Sequence, residues 1–324
     1  INTFINKVLR YGQKKPGLFG KCTAYYGSVE AQGKGTLHCH FLIWLDGHLS
    51  PQELRDKIRD DANFKARIFS YLESVIKCEP PGTMEVVEEE EGVCLDAPKR
   101  AEGVPNPSVI ALPQCSEMSE EDFESAFQAT VKALVYENHW HFHNVTCWKY
   151  LKRGEPKDDS HCRMRIDGAT RATTSIDQET ESILLRRLHP RVNCYNDVLA
   201  FLTQSNNDIK FIGSGEGAKA LLYYITDYIT KASPPTHVGL SAIRVALEKT
   251  CKKFDGDASA TDEAISKSLF VKLANGILSR LEVSHQQVMY HINGGDDRYT
   301  SHSFATLYWG AFDRGVAAYF KAPE

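Results

Sequence analysis

The stretch that most constrains the fold is TLHCHFLIW, at positions 36–44. Its aromatic and branched apolar residues, its lack of proline and the glycines that precede it predict a β-strand. Alternate side chains of a strand share a face and lie about 6–7 Å apart, so His38 and His40 project on the same side. Two imidazoles this close can share one divalent metal ion, or they can be a pair of histidines that bind nothing.

A second strand precedes this one, at KCTAYYGSVEA, positions 21–31. The intervening QGKG predicts a tight turn, so the two strands are expected to form a hairpin. The hairpin would bring Glu30, and with it Gln32, beside His38 and His40. Two imidazoles and one oxygen ligand leave coordination positions open for a substrate, and such ligands suit Mg²⁺ or Mn²⁺ in a phosphoryl-transfer site.

A third feature lies far along the chain, at GAKALLYYITDYITK, positions 217–231. The apolar spacing predicts a helix that ends before the two prolines at 234 and 235. Tyr224 and Tyr228 are four residues apart, so both hydroxyls project from one helix face, which Lys231 extends. Such a stripe can be core packing, or a tyrosine can be a covalent nucleophile when the charge on its target is stabilised.

These blocks together resemble the HUH superfamily of single-strand DNA nucleases and, more narrowly, the replication-initiator domain of Helitron transposases. The resemblance rests on four segments in the family's usual order: GSVEAQGKGTLHCHFLIWL, NNDIKFIG, YYITDYITK and YTSHSFATLYW. It covers most of the chain, from about Phe19 to Trp309.

The resemblance implies an α+β fold, in which a central antiparallel sheet of the HUH nuclease type carries the metal site and helices pack on it. We expect three parts: residues 1–77 with the histidine strand, residues 78–172 with an acidic loop and a zinc-binding insert, and residues 173–324 with the tyrosine helix. The family places another strand before position 1, so we expect this chain to be a fragment.

The resemblance also implies a reaction. A divalent ion held by His38, His40 and Glu30, with Gln32 as substitute or supplement, would polarise the scissile phosphate of single-stranded DNA. Either Tyr224 or Tyr228 would attack and leave a 5′-phosphotyrosine, while Lys231 neutralises charge on phosphorus.

A cluster of histidines and cysteines resembles the zinc-binding insert of Helitron initiator domains. Thiolate and imidazole ligands suit a closed tetrahedral Zn²⁺ site. The expected ligands are Cys147 and Cys162, with His143 and either His141 or Cys115. Free surface histidines and buried thiols are the alternative.

Charge is distributed unevenly. The whole chain has a net charge of −4, but positions 79–124 alone carry −11, so the remainder carries +7. A basic remainder fits a nucleic-acid partner. A basic and aromatic stretch, suited to single-stranded DNA or simply a solvated face, is formed by Trp148 and Tyr150 interleaved with Lys149, Lys152, Arg153, Lys157, Arg163 and Arg165.

Several functions remain to be distinguished. The first is strand cleavage and transfer in rolling-circle (Helitron) transposition. The alternatives are a replication initiator or relaxase of the same superfamily, and a decayed copy that binds DNA without cleaving it. The resemblance implies a nuclear location and a helicase domain that this chain lacks, and no apolar run approaches the ~20 residues of a membrane helix.

The remaining pattern predicts the secondary structure around these motifs. Ser50, Pro51 and Glu53 mark a helix start, and helical apolar spacing to Val75 predicts one helix or a helix broken in two. Further helices are predicted near positions 120–136 and 261–283, and a strand is predicted at positions 209–212. The acidic run Glu88–Glu91, within the acidic segment at positions 79–124, is expected to be a solvated or disordered loop, with an acidic lid that competes with DNA as the alternative.

Overall fold

A computed structural model of the chain describes residues 1–31, 36–89, 95–164, 166–213, 223, 236–256, 259–279, 284–305 and 307–320. The predicted α+β class is confirmed at this level, since a small antiparallel sheet accompanies several helices. The chain divides into two compact units, Ile1–His48 with Tyr223–Glu324, and Leu49–Leu222. The three-part division expected from the sequence stays a prediction.

The bounds of the described elements are as follows. The strands are β1 Cys22–Ala31, β2 Leu37–Leu45, β3 Ser175–Ile176, β4 Ile183–Leu184 and β5 Arg298–Thr300. The helices are α1 Pro51–Asp60, α2 Ala62–Val75, α3 Glu120–Leu134, α4 Asp197–Thr203, α5 Thr236–Phe254, α6 Asp262–Leu278, α7 His285–Ile292 and α8 Trp309–Phe320. Short π-helical turns span Phe4–Leu9 and Val135–His139, and short 3₁₀ turns span Pro107–Val109 and Asp159–His161.

The first unit is built on a three-stranded antiparallel sheet in the order β2-β1-β5. The two strands predicted as a hairpin pair along almost their whole length. The third strand comes from the YTSHSF block and pairs with the middle of β1, with Gly27 opposite Tyr299. That block therefore supplies the third described strand of the sheet, a role that its sequence pattern did not reveal.

Gly27 has a steric reason to be a glycine. It lies opposite Phe41 in the register of β1 and β2. A Cβ atom at this position would lie 2.8 Å from the Phe41 ring, well inside van der Waals contact. The missing side chain lets the ring pack across β1, where it also approaches the rings of Phe4 and Tyr25.

In the second unit, the predicted helix after Ser50 is two helices. Ser50 and Glu53 form a capping box, in which the Ser50 N–H donates to the Glu53 carboxylate at 3.0 Å. α1 ends at Asp61, which has extended backbone angles, and the Asp61 side chain accepts from the N–H of Phe64 to begin α2. One residue thus ends the first helix and caps the second.

The main core of the second unit lies between α3, the extended segment around Val192, and α4. Its buried members are Val131, Val135, Val192, Tyr195, Ala200 and Phe201. Asn196 begins α4 by accepting from the Leu199 N–H, and its amide donates to the Val75 carbonyl at 2.9 Å. The end of α2 is thereby fixed to the start of α4.

Two expectations about this unit need correction. Positions 209–212 adopt no regular strand, because within the described ranges no other segment pairs with them through backbone hydrogen bonds. The acidic segment at positions 79–124 is only partly solvated. Glu79 is buried and pairs with Arg186, and Glu89 pairs with Arg191, so two of its acids are anchored by arginines.

Helices α5 to α8 belong to the first unit, where α5 and α6 pack together. The helix predicted at positions 261–283 is observed as α6. Within the described part of the chain, no helix has the length and apolarity needed to cross a membrane.

Candidate functional site

The hairpin of the first unit brings three predicted metal ligands together. In the register of β1 and β2, Glu30 lies opposite His38, and His40 lies two residues further along the same strand face. The His38 and His40 ring centroids are 4.6 Å apart, and His40 Nε2 lies 3.0 Å from Glu30 Oε1. The His40 and Glu30 side chains are 17% and 29% exposed, so the group is accessible from one side.

Cys39, between the two histidines, points to the other face of the sheet. Burial there raises the pKa of the Cys39 thiol to about 12. The thiol is therefore protonated at neutral pH, and the described residues of this site offer imidazole and carboxylate ligands on the histidine face.

The other predicted members of this site lie outside the described residues. These are Gln32, which belongs to the predicted turn, and Tyr224, Tyr228 and Lys231 on the predicted tyrosine helix. Their roles stay predictions.

A second group of ligands lies in the second unit. His141, His143, Cys147 and Cys162 place one nitrogen or sulfur atom each within 4.8 Å of one another. Cys115, which the sequence left as an alternative to His141, is exposed and is not a member of this group.

Local structure explains how these four residues meet. The backbone after the Val135–His139 turn is extended, and the His141 N–H donates to the Arg191 carbonyl at 2.8 Å, which directs His141 and His143 to the same side. Cys147 ends a turn in which its N–H donates to the Asn144 carbonyl. Cys162 follows the Asp159–His161 turn, and the next N–H, that of Arg163, donates to the Cys147 carbonyl at 3.1 Å.

The interatomic distances fit a tetrahedral zinc ion. Zn–N distances of about 2.0–2.1 Å and Zn–S distances of about 2.3 Å imply roughly 3.3 Å between two nitrogens and roughly 3.6 Å between nitrogen and sulfur. The His141 Nε2 to His143 Nδ1 distance is 3.2 Å. The His141 Nε2 atom lies 3.7 Å from Cys147 Sγ and 3.3 Å from Cys162 Sγ. This group could hold a metal such as zinc.

The site is closed, as a structural zinc site requires. His141, Cys147 and Cys162 are all buried, and Ile166 and Trp148 pack against the two cysteines. Burial, followed by the neighbouring His143 and Arg191, lowers the pKa of His141 to about 4. The imidazole is therefore neutral and ready to bind a metal at physiological pH.

A carboxylate and an arginine support this group from behind. His143 uses its second nitrogen, Nε2, to contact Asp159 Oδ1 at 2.5 Å, which leaves Nδ1 free as the ligand atom. Arg191 donates to both oxygens of Asp159 at 2.8 Å and to Glu89 at 2.7 Å. The hydrogen bond from Arg191 is the largest cause that lowers the pKa of Asp159. In zinc sites, a ligating histidine is commonly held in this way, by a hydrogen bond from its second ring nitrogen to a carboxylate.

Asp159, Arg191 and Glu89 were not found from the sequence. Asp159 lies 32 positions and Glu89 lies 102 positions before Arg191, and no local sequence pattern links the three residues. Only the folded chain brings them together.

The group of His141, His143, Cys147 and Cys162 is called the zinc-type group below, and an exposed basic and aromatic surface lies beside it. Tyr150 is 70% exposed. The Lys149 ammonium lies 5.6 Å from its ring centroid and the Arg163 guanidinium lies 5.4 Å from it. Two of the basic residues predicted to face nucleic acid therefore flank an accessible aromatic ring.

Comparison with known families finds one match. The family described as the Helitron helicase-like domain at the N-terminus matches residues 1–43, a stretch that contains Glu30, His38 and His40. No curated protein and no solved structure matches the chain. The resemblance to Helitron proteins predicted from the sequence is thus confirmed over residues 1–43, where the histidine hairpin is similar to the Helitron helicase-like N-terminal domain family.

Proposed function

We propose that this chain is a metal-dependent endonuclease and strand transferase that acts on single-stranded DNA in rolling-circle transposition, through a 5′-phosphotyrosine intermediate. The observation that carries the proposal is the juxtaposition of His38, His40 and Glu30 on the hairpin that matches the Helitron family. The HUH type of the sheet is part of the same proposal.

The donor set fits Mg²⁺ or Mn²⁺. Neighbouring ligands of an octahedral ion at about 2.1 Å are about 3.0 Å apart. The His40 Nε2 to Glu30 Oε1 distance is 3.0 Å, and the His38 ring lies on the same face. A divalent ion held by these residues would supply charge stabilisation at the scissile phosphate.

The covalent step is assigned to the tyrosines. The hydroxyl of Tyr224 or Tyr228 releases its proton to solvent as its oxygen forms a bond to phosphorus. The bond from phosphorus to the 3′ oxygen breaks, and that oxygen takes up a proton and leaves as a 3′-hydroxyl. Lys231 would offset negative charge on the phosphoryl oxygens. Because the phosphotyrosine bond retains the energy of the broken linkage, a 3′-hydroxyl can reverse the step and join strands, and two tyrosines allow two strands to be held.

Single-stranded DNA is the proposed partner of the Tyr150 surface. A base can stack on an accessible aromatic ring while neighbouring cations contact phosphates. Tyr150 with Lys149 and Arg163 offers this combination next to the zinc-type group, which would fix the loop that carries them. A nuclear location and a helicase domain elsewhere in the full protein belong to the same proposal.

A cleavage assay tests the function. The chain is incubated with labelled single-stranded DNA and Mn²⁺ or Mg²⁺, and a covalent protein–DNA adduct is sought on a denaturing gel. We expect a metal-dependent adduct that a Tyr224→Phe/Tyr228→Phe double variant does not form. DNA binding with no adduct in either metal would favour a copy that binds DNA without cleaving it.

A further inference from the structure

A pair of buried thiols lies in the second unit, outside both ligand groups described above. The Cys78 and Cys194 side chains are 1% and 7% exposed, and their sulfur atoms are 3.2 Å apart. The two residues are 116 positions apart in sequence, so the fold alone creates the pair.

The backbone places these residues directly opposite one another. Lys77 and Tyr195 exchange two hydrogen bonds, at 2.7 and 2.8 Å, in an antiparallel bridge. The next pair of residues, Cys78 and Cys194, therefore occupies a position without backbone hydrogen bonds, where Cα atoms are about 4.5 Å apart. That separation lies within the range of about 4.4–6.8 Å that a disulfide allows.

A buried cation faces one of the two sulfurs. Arg187 is buried, and its Nη2 lies 3.4 Å from Cys194 Sγ while Nη1 donates to the Val192 carbonyl at 2.6 Å. Among the described residues, no carboxylate forms an ion pair with Arg187. A buried guanidinium is stabilised by an anion in contact with it, and a Cys194 thiolate supplies that anion.

The two thiols consequently differ. The pKa of Cys194 is lowered to about 6, and the largest cause is the hydrogen bond from Cys78. The positive charges of Lys210 and Arg187 also lower this pKa, while burial and the charge of Asp208 raise it. The pKa of Cys78 is raised by its hydrogen bond to Cys194 and by burial. Cys194 is thus the thiolate and Cys78 the thiol that donates to it.

We propose that Cys78 and Cys194 form a redox-active dithiol that a peroxide converts to an intramolecular disulfide. The Cys194 thiolate attacks one peroxide oxygen, the O–O bond breaks, and Cys194 becomes a sulfenic acid. The other oxygen leaves as hydroxide or alkoxide and takes up a proton from solvent. The Cys78 sulfur then attacks Cys194, the S–O bond breaks, and water leaves with the Cys78 proton. The two sulfurs lose two electrons in total and the peroxide is reduced.

The disulfide would connect two segments that support other parts of the unit. Cys78 follows α2, whose end is fixed to α4 by Asn196. Cys194 lies three positions after Arg191, which holds Asp159 and Glu89. Oxidation therefore cross-links the α2 end to the segment behind the zinc-type group, and resistance to heat unfolding should rise.

The test uses the full zinc-loaded chain with the exposed Cys115 and Cys251 replaced by serine. The protein is treated with hydrogen peroxide, free thiols are alkylated under denaturing conditions, and peptides are analysed by mass spectrometry without reductant. We expect a peptide pair joined through Cys78 and Cys194 that dithiothreitol separates, and a higher Tm before reduction than after it. Full alkylation of both cysteines after peroxide treatment, or a Cys147–Cys162 linkage in place of this one, would overturn the proposal.

Single variants test the assigned roles. A Cys78→Ser protein should accumulate sulfenic acid at Cys194, detected with a dimedone probe, because the resolving thiol is gone. A Cys194→Ser protein should label at least tenfold less at Cys78. Equal labelling of the two variants would contradict the assignment of Cys194 as the reacting thiolate. Circular dichroism checks that each variant is folded. If a single variant does not fold, the disulfide measurement on the chain that retains both thiols decides the proposal.

Discussion

Asp159 lies between two partners, since its Oδ1 atom contacts His143 Nε2 at 2.5 Å and both its oxygens accept from Arg191 at 2.8 Å. The carboxylate is thus held by a buried arginine and in turn holds a histidine of the zinc-type group. The orientation of His143 depends on a residue 16 positions away that does not itself face the metal position.

Replacement of Asp159 should weaken zinc binding. In Asp159→Asn the amide can still accept a hydrogen bond from His143, but it loses the charge that Arg191 pairs with. Removal of such an outer-shell carboxylate typically lowers metal affinity 10–100-fold. Competition with a chromogenic zinc chelator measures the affinity. Asp158→Asn is the matched control, because Asp158 binds the exposed His161 rather than a ligand; equal zinc loss in both variants would contradict the assigned role of Asp159.

Loss of His40 should weaken Mn²⁺ binding at the hairpin and abolish cleavage. His40→Ala removes one imidazole and the 3.0 Å contact with Glu30, so the remaining ligands cannot hold a divalent ion with the same affinity. We expect at least a tenfold weaker Mn²⁺ affinity by calorimetry and no covalent DNA adduct. His48→Ala, at an exposed histidine beyond the same strand, should leave both unchanged. Retained cleavage by the His40→Ala protein would remove this residue from the site.

The second unit should lose stability as the pH falls from about 6.5 to about 4. His189 is buried, and its Nδ1 accepts a hydrogen bond from the Arg191 N–H at 3.1 Å. Burial lowers the pKa of His189 to about 4. Between this value and the unfolded value of about 6.5, the unfolded chain binds a proton that the folded chain does not, so acid favours unfolding.

The size of this effect is measurable. A pKa difference of this kind corresponds to about 3 kcal/mol of unfolding free energy, lost by the time the pH falls below about 4. Urea unfolding at several pH values gives the slope. In His189→Asn, whose amide oxygen can still accept from Arg191, the slope between pH 6.5 and 4 should become shallower, and an unchanged slope would show that His189 does not contribute.

Tyr150 should contribute to the affinity for single-stranded DNA. Stacking of one base on an aromatic side chain contributes roughly 1–3 kcal/mol, which is about a 5- to 150-fold change in affinity. Tyr150→Leu should weaken binding of a labelled oligonucleotide by a factor in this range, measured by fluorescence anisotropy at fixed salt. Tyr319→Leu replaces a tyrosine of similar exposure in the first unit and serves as control. A loss of affinity in the control alone would place the DNA surface elsewhere.

The Ser50 capping box should stabilise the start of α1. Ser50→Ala removes the side chain that accepts from the Glu53 N–H and should reduce the unfolding free energy by about 1 kcal/mol. Urea denaturation measures the change. The exposed loop residue Ser116 provides the control substitution to alanine, for which we expect a change below about 0.5 kcal/mol.

The sequence alone determined the local features of this protein. The hairpin followed from the aromatic and branched apolar residues around His38 and His40 and from the turn residues before them. The start of α1 followed from Ser50, Pro51 and Glu53, because these signals depend on residues a few positions apart. The His and Cys residues of the zinc-type group were also visible as a cluster, since Cys147 and Cys162 lie close in sequence to the histidines.

The tertiary structure decided which of these residues meet and what supports them. It placed His141 rather than Cys115 in the zinc-type group, assigned Arg298–Thr300 to the sheet edge, and left positions 209–212 without a strand. It also paired Arg191 with Asp159 and Cys78 with Cys194, across 32 and 116 positions. Such contacts depend on how the chain packs globally, and short-range sequence periodicity carries no information about that packing.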